Sequence, residues 1–280
     1  MQEFQEPAIL DSQSFQSDKL LTIAQEIEAM TDPSFMTSLA RGLAVVRAFS
    51  DHRRSLTIAQ ISHKTGIPRA AVRRCLYTLK RLGYADSEAN NFFLKPKILS
   101  LGYSYLSSTP LTVSAQPCLN SISRSLNESC SLAVLDNDEV LYVARSATSR
   151  VMSIALNTGS RLPAYCTSLG RVLLANMSED ALAQYFETVK LRAYTERTVV
   201  SVPRLREILS DVRVSGYSVV EEELEVGLRS IAVPVRGASG VVHAALNVGA
   251  QATRVSTRQM EEEFLPALLR GAQELSVLLP

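Results

Sequence analysis

Arg69, Arg73 and Arg74 fall on one side of a helical repeat, with Ala70, Tyr77, Lys80 and Arg81 beside them. Ala71, Val72, Cys75, Leu76, Leu79 and Leu82 fall on the other side. A helix over these residues packs one face and shows five positive charges on the other. A guanidinium can grip guanine O6 and N7 as a fork, so Arg69, Arg73 and Arg74, in the first two turns, are the base-reading candidates. Ala70 and Tyr77 share their surface. Lys80, Arg81 and Lys95 suit phosphates, which position a protein without reading sequence. A second group suits a small anion. Thr167 and Ser168 open a predicted helix over 168–176, and the unpaired N–H groups and partial positive charge of a helix start attract carboxylates. Two further groups hint at catalysis without supporting it. Cys166 with His243 has the makings of a thiol nucleophile, and Glu221, Glu222, Glu223 and Glu225 those of an acid–base pair. The sequence supplies neither with an orienting partner. Alternation places Glu221 and Glu223 on one face of a strand and Glu222 on the other, which reads as an edge or domain-contact strand. There is no Gly-rich phosphate loop and no metal-ligand spacing.

The elements that must position these residues are legible in outline. Thr37 to Phe49 reads as a helix. Thr57-Ile-Ala-Gln60 fits a capping box for a short helix that ends at Gly66. Pro68 then opens the arginine-rich helix, which Gly83 closes. Short helix, tight turn, second helix with a basic outer face: this is a helix-turn-helix. Tyr84 to Leu94 suits two short strands around Asn90-Asn91, a wing. A connecting helix follows from Pro96 to about Thr109, and Pro110 and Pro117 break the pattern. Beyond it, helices near 115–127, 168–176, 179–186 and 203–214 alternate with strands at 130–135, 139–145, 150–156, 217–222, 229–236 and 241–248. An amphipathic helix from Ser256 ends the chain. This order implies an α+β protein with a mixed, largely antiparallel sheet.

Composition narrows the function classes. The chain's 280 residues are 46% hydrophobic, enough for two cores and too apolar for wholesale disorder. Its net charge of +1 hides a segregated distribution. Residues 1–35 carry seven acids and one lysine, residues 36–97 carry twelve Lys/Arg and three acids, and residues 98–280 are nearly balanced. A block at +9 beside a near-neutral one suggests a nucleic-acid module joined to something else. No apolar run reaches the roughly 18 residues of a membrane span, and no basic n-region precedes an apolar stretch. The expected location is therefore the cytoplasm. Cys75, Cys118, Cys130 and Cys166 are too scattered for a disulfide framework or a zinc site. The expected division is an acidic, poorly ordered leader at 1–35 with a helix at 18–30, a DNA-binding domain at 36–95, a connector at 96–112 and a second domain at 113–280.

Ser38-Leu-Ala-Arg-Gly-Leu-Ala-Val-Val46, Leu56-Thr-Ile-Ala-Gln-Ile61, Thr65-Gly-Ile-Pro68 and Leu79-Lys-Arg-Leu-Gly-Tyr84 together resemble the IclR family of bacterial transcriptional regulators. Gly159 to Ala175 and Glu221 to Pro234 resemble two signatures of its second domain. Pro163-Ala-Tyr-Cys-Thr-Ser168 and Tyr142-Val-Ala-Arg145 resemble the branch that answers to protocatechuate and 4-hydroxybenzoate. The likeness runs from 37 to 278 and leaves the leader out. It implies a winged helix-turn-helix, a GAF-like effector-binding domain, operator DNA as partner, and a homodimer or dimer of dimers. It implies no cofactor beyond a small aromatic carboxylate. By position it places Met152, Ile154, Leu162, Leu169, Val220, Leu228, Ser230, Ala245 and Asn247 around the effector. Tyr142, Arg145, Arg150, Tyr165, Thr167, Ser168 and His243 are the polar candidates. Arg145 and Arg150 have an alternative role in a surface ion pair with Asp138 or Glu139. The carboxylate is expected at the Ser168 and Leu169 N–H groups and the ring hydroxyl near Asn247, with Gly249 leaving room. Two rival readings stay open: a ligand-independent helix-turn-helix regulator, and an enzyme acting on an aromatic acid.

Overall fold

The computed structural model describes residues 27, 30, 32–50, 55–108, 110–148, 156–277 and 279. The leader expected at 1–35 and its helix lie largely outside the described residues, as do Arg150, Met152 and Ile154 and most of the strand expected at 150–156. The chain divides into two compact units, Met1–Tyr105 and Leu106–Pro280. Among the described residues no helix is long and apolar enough to cross a membrane.

The first unit is built on three helices and a hairpin: α1 (Thr37–Arg47), α2 (Ile58–Thr65), α3 (Arg69–Arg81), β1 (Ala85–Glu88) and β2 (Asn91–Leu94). The capping box is complete, because Thr57 Oγ1 accepts from the Gln60 N–H while Gln60 Oε1 accepts from the Thr57 N–H. Gly66 ends α2 in the left-handed region at φ 71°. Thr65 Oγ1 then accepts from the Ile67 N–H and helps shape the turn into α3. Ala44, Val45, Ala48, Leu56, Ile61, Ile67, Val72 and Leu76 form the core. Leu82, expected on the packed face of α3, is instead exposed. It is the C-cap after Arg81, its N–H still bonded to the Thr78 carbonyl. The hairpin turns at Ala89-Asn90, one residue earlier than expected, with Asn91 already paired to Glu88. Ala89 takes the positive φ there. After a short turn at Pro96–Ile98 the chain enters α4 (Leu99–Ser108).

The second unit holds α5 (Pro110–Leu126), β3 (Ser129–Asp136), β4 (Glu139–Ser146), β5 (Arg161–Pro163), α6 (Ser168–Ala175), α7 (Glu179–Thr188), α8 (Val202–Ser215), β6 (Ser218–Glu221), β7 (Leu228–Arg236) and β8 (Val242–Gln251). A last helix runs from Thr257 through a π-turn at Met260–Phe264 into α9 (Leu265–Ser276). The six strands form one antiparallel sheet in the order β5-β4-β3-β8-β7-β6. One face, with Cys130, Leu132, Ile231, Val233, Leu246 and Val248, packs against Leu119 of α5 and Leu268 of α9. The other face carries α6. Pro110 and Pro117 do not break the pattern as expected: Pro110 opens α5 and Pro117 sits inside it. Pro110 needs no intrahelical N–H at the first turn. At Pro117 the lost bond is offset by tertiary burial of Ala115, Cys118, Leu119 and Ile122 on the sheet.

Candidate functional site

In the first unit, Arg69, Ala70, Arg73, Arg74, Tyr77, Lys80 and Arg81 all lie on the exposed face of α3, and Lys95 is exposed just after β2. Val72 and Leu76 anchor the opposite face in the core, so the basic surface is held by packing. Lys80 differs from its neighbours. Its ammonium pairs with Asp86 at 2.9 Å and donates to Ser87 Oγ at 2.8 Å, which ties α3 to β1. The same contact holds the Asp86 carboxyl below its ordinary range.

In the second unit a partly enclosed, mainly apolar cavity of about 590 Å³, counting its mouth, opens beside α6. Its floor is the sheet. Ser129, Gly249, Ser230 and Val220 stand in register across β3, β8, β7 and β6 and all line it. Two residues further along β3 and β8, Ser131 pairs with both Arg145 and Asn247. Tyr142 and Arg145 are three apart, a spacing that puts strand residues on opposite faces. A bulge in β4 at this point pairs Tyr142 with Ala133 and Ala144 with Leu132, so Val143 is the extra residue. Tyr142 and Arg145 both reach the cavity as a result.

Of the expected lining, Tyr142, Arg145, Leu162, Thr167, Ser168, Val220, Leu228, Ser230 and Asn247 surround the cavity. Met152 and Ile154 lie outside the described residues. Tyr165, Leu169, His243 and Ala245 do not line it. Tyr165 is buried with its hydroxyl donating to the Arg192 carbonyl at 2.7 Å. Leu169, one residue along the helix from Ser168, is turned about 100° away and fully buried. Ala245 shares a sheet face with Asn247 but is buried outside the cavity. His243 is the extra residue of a second bulge, between the pairs Val242–Arg236 and Ala244–Val235. Sequence reasoning missed Ser129, Leu156 and Leu224 as lining, and weighed Cys166 and Glu223 for other roles. Ser129 was discoverable from the β3–β8 register; Glu223 was not.

Glu223 was hidden by a wrong strand assignment. The strand β6 ends at Glu221, and Glu222 takes φ 54°, so alternation stops there. Glu221 instead pairs with Arg229 at 2.7 Å, and Glu223 turns inward to Arg171 at 2.7 Å, both partners buried. Glu223 Oε2 also accepts from the Val199 N–H at 3.0 Å, and Arg171 Nε donates to the Tyr165 carbonyl at 3.0 Å.

Polar chemistry in the cavity sits at two places. At the start of α6, Thr167 accepts from the Gly170 N–H through Oγ1 and from the Arg171 N–H through its carbonyl. Among the described residues, the Ser168 and Leu169 N–H groups of that turn are left without acceptors. Ser168 Oγ is buried with no partner. Across the floor, Arg145 Nη1 donates to Ser131 Oγ at 3.0 Å while its Nε is buried without an acceptor. No Asp138 or Glu139 pair forms with it. Asp136 and Glu139 are taken by Arg161. Burial lowers the Arg145 pKa and pushes the Tyr142 phenol up to about 12, so the phenol remains a donor at neutral pH. Burial, with Glu223 adding to it, raises the Cys166 thiol far above its ordinary range, the opposite of what a nucleophile needs. Among the described residues no group of three His, Cys, Asp or Glu side chains could hold a metal.

Residues 38–89 match the family described as the IclR helix-turn-helix domain, and residues 103–277 match the Bacterial transcriptional regulator IclR C-terminal family. The chain is 52% identical over 272 residues to the Pca regulon regulatory protein of Pseudomonas putida, covering 96% of this chain and 94% of that protein. It is 38% identical over 253 residues to the p-hydroxybenzoate hydroxylase transcriptional activator of Acinetobacter baylyi, covering 89% of this chain and 93% of that one. A solved structure, a double mutant of the PobR inducer-binding domain from Acinetobacter in complex with 3-hydroxybenzoic acid, matches with a TM-score of 0.56 at 37% identity, covering 59% of this chain and 97% of that chain. With both domains matched in order, and a basic exposed helix in one unit and a partly enclosed cavity in the other, the chain belongs to the IclR family of bacterial transcriptional regulators.

Proposed function

We propose that this regulator controls genes of aromatic-acid breakdown, and that its effector is 4-hydroxybenzoate or protocatechuate bound in the cavity of the second unit. The observation that carries the reading is a mainly apolar, partly enclosed cavity whose walls hold two buried, unpartnered polar groups, Ser168 Oγ and Arg145 Nε. Buried polar atoms are normally bonded, and an aromatic acid with a ring hydroxyl offers a polar group at each end and an apolar middle. The names of the two relatives point to the same chemistry. In the first unit, α3 enters the major groove of operator DNA, with Arg69, Arg73 and Arg74 at base edges beside Ala70 and Tyr77, and Arg81 and Lys95 on phosphates. Two copies act together, in the cytoplasm, because one recognition helix covers only a few base pairs.

Thermal melting of the full chain against a panel of aromatic acids tests this. The effector raises stability by RT ln(1 + [L]/Kd), about 2.7 kcal/mol at a hundredfold excess over Kd. It also changes operator affinity and is recovered chemically unaltered. A panel that produces no shift favours a ligand-independent regulator. Conversion of the acid to product would overturn the regulatory reading.

A further inference from the structure

The charge balance of the cavity bears on which way round an aromatic acid lies in it, an argument that rests on the function proposed above. Among the described residues two charged side chains line the cavity, Arg145 and Glu223. Glu223 is neutralised by Arg171 inside the protein, at 2.7 Å, and its Oε2 also holds the Val199 N–H. Arg145 has no such counter-charge. Its Nη1 bonds the neutral Ser131 hydroxyl, its Nε has no acceptor, and among the described residues no carboxylate pairs with it. Residues 147–160, which follow it in the chain, contain no Asp or Glu.

Guanidinium geometry makes this specific. With Nη1 anchored on Ser131, the edge left over is Nε–Nη2, whose two parallel N–H bonds match the two oxygens of a carboxylate. Asn247 stands across from Ser131 on β8, and the bulge at Val143 brings Tyr142 onto the same face. The start of α6 is a poorer place for the anion than the sequence pattern suggested. Glu223 lines the cavity while its partner Arg171, in the first turn of that helix, does not, so a second carboxylate arriving there meets the negative end of the pair. A phenol meets no such penalty. The Ser168 hydroxyl and the two open N–H groups can bond its oxygen.

We propose that Arg145 takes the effector's carboxylate through its Nε–Nη2 edge, and that Ser168 at the start of α6 takes the ring hydroxyl. This reverses the orientation expected from the helix start alone.

Isothermal titration of the full chain with 4-hydroxybenzoate, 4-hydroxybenzamide and benzoate tests it, using wild type, Arg145→Gln, Arg145→Lys and Ser168→Ala. Wild type should prefer the acid over the amide by about tenfold or more. Arg145→Gln should bring acid and amide within about twofold of each other, and Arg145→Lys should restore part of the preference. Ser168→Ala should leave the acid-to-amide ratio unchanged and reduce the preference for 4-hydroxybenzoate over benzoate. Thermal melting establishes that each variant is folded, and if Arg145→Gln is not, Arg145→Lys and Ser168→Ala still decide. A full acid preference surviving in Arg145→Gln, or lost in Ser168→Ala, overturns the orientation while leaving the aromatic effector in place. A wild type that binds none of the three ligands overturns both.

Discussion

Gly170 shows how one residue type can be dictated by space alone. A Cβ built there would overlap the backbone of Ala164, which cannot yield as a flexible side chain does. The close approach lets α6 start directly beneath the 164–167 turn, with Thr167 capping it. Gly170→Ala should therefore cost about 1–3 kcal/mol or more through overpacking, and should weaken effector binding by shifting the helix start. Urea melts paired with titration of the effector check this, and an alanine variant as stable as wild type would remove the argument. The neighbouring Arg171–Glu223 pair makes a second prediction. Both side chains are buried, so Glu223→Gln strands a guanidinium and should destabilise by about 3–5 kcal/mol. Replacing both partners with methionine should cost less than the single change, because no buried charge is then left unpaired. A double variant less stable than Glu223→Gln would show that the pair is worth more than its desolvation.

Between elements, the bond from Lys80 on α3 to Asp86 on β1 has a consequence for DNA binding. A lysine that already holds a carboxylate releases little counterion when it meets a phosphate, so Lys80 contributes less to salt dependence than its position on the basic face suggests. Lys80→Ala should leave the slope of log K against log salt nearly unchanged, whereas Asp86→Asn should steepen it by about one unit. In the Asp86→Asn background, Lys80→Ala should then remove that unit. Fluorescence anisotropy across a salt series reads all four proteins, and a one-unit loss in Lys80→Ala alone would show that the pair opens on DNA. Arg73→Ala, by contrast, should cost about 1–3 kcal/mol on the operator and relax preference at one base pair. The same scale separates what sequence could reveal from what it could not. Thr57 with Gln60, Gly66 and Gly83 are local signals, each acting within a turn of its own position, and they marked the element ends well. The bulge at Val143 is set by its pairing with β3 across the hairpin, and the inward turn of Glu223 by Arg171 on α6, distant in the chain, so neither shows in the alternation of its own strand. Pro117 misled for the same reason, since its cost is met by packing against residues more than a hundred positions away.

At the scale of the whole molecule, the apolar surface of the first unit remains to be covered. Leu39 and Leu43 on α1 are 57% and 54% exposed, and Leu99 and Leu101 on α4 are 72% and 50% exposed. Val46, further along α1, is half-buried. Leu39 and Leu43 lie four apart, and Met36, also exposed, precedes the helix, so they share one stripe that the unit's own core does not use. An exposed apolar stripe of this kind is the usual mark of an interface. On the two-copy reading proposed above, a second copy covers it, so that two recognition helices reach half-sites about one helical turn, roughly 34 Å, apart. The substitution pair Leu39→Glu and Leu43→Glu places charge in that stripe without touching α3 or the cavity. Light scattering should then report a monomer. Operator affinity should fall toward the non-specific level, about a thousandfold or more, with the heat of effector binding unchanged. A variant that remains dimeric and keeps its operator affinity would place the dimer contact elsewhere. A variant that becomes monomeric yet binds the operator undiminished would show that a single recognition helix suffices and would overturn the two-copy reading.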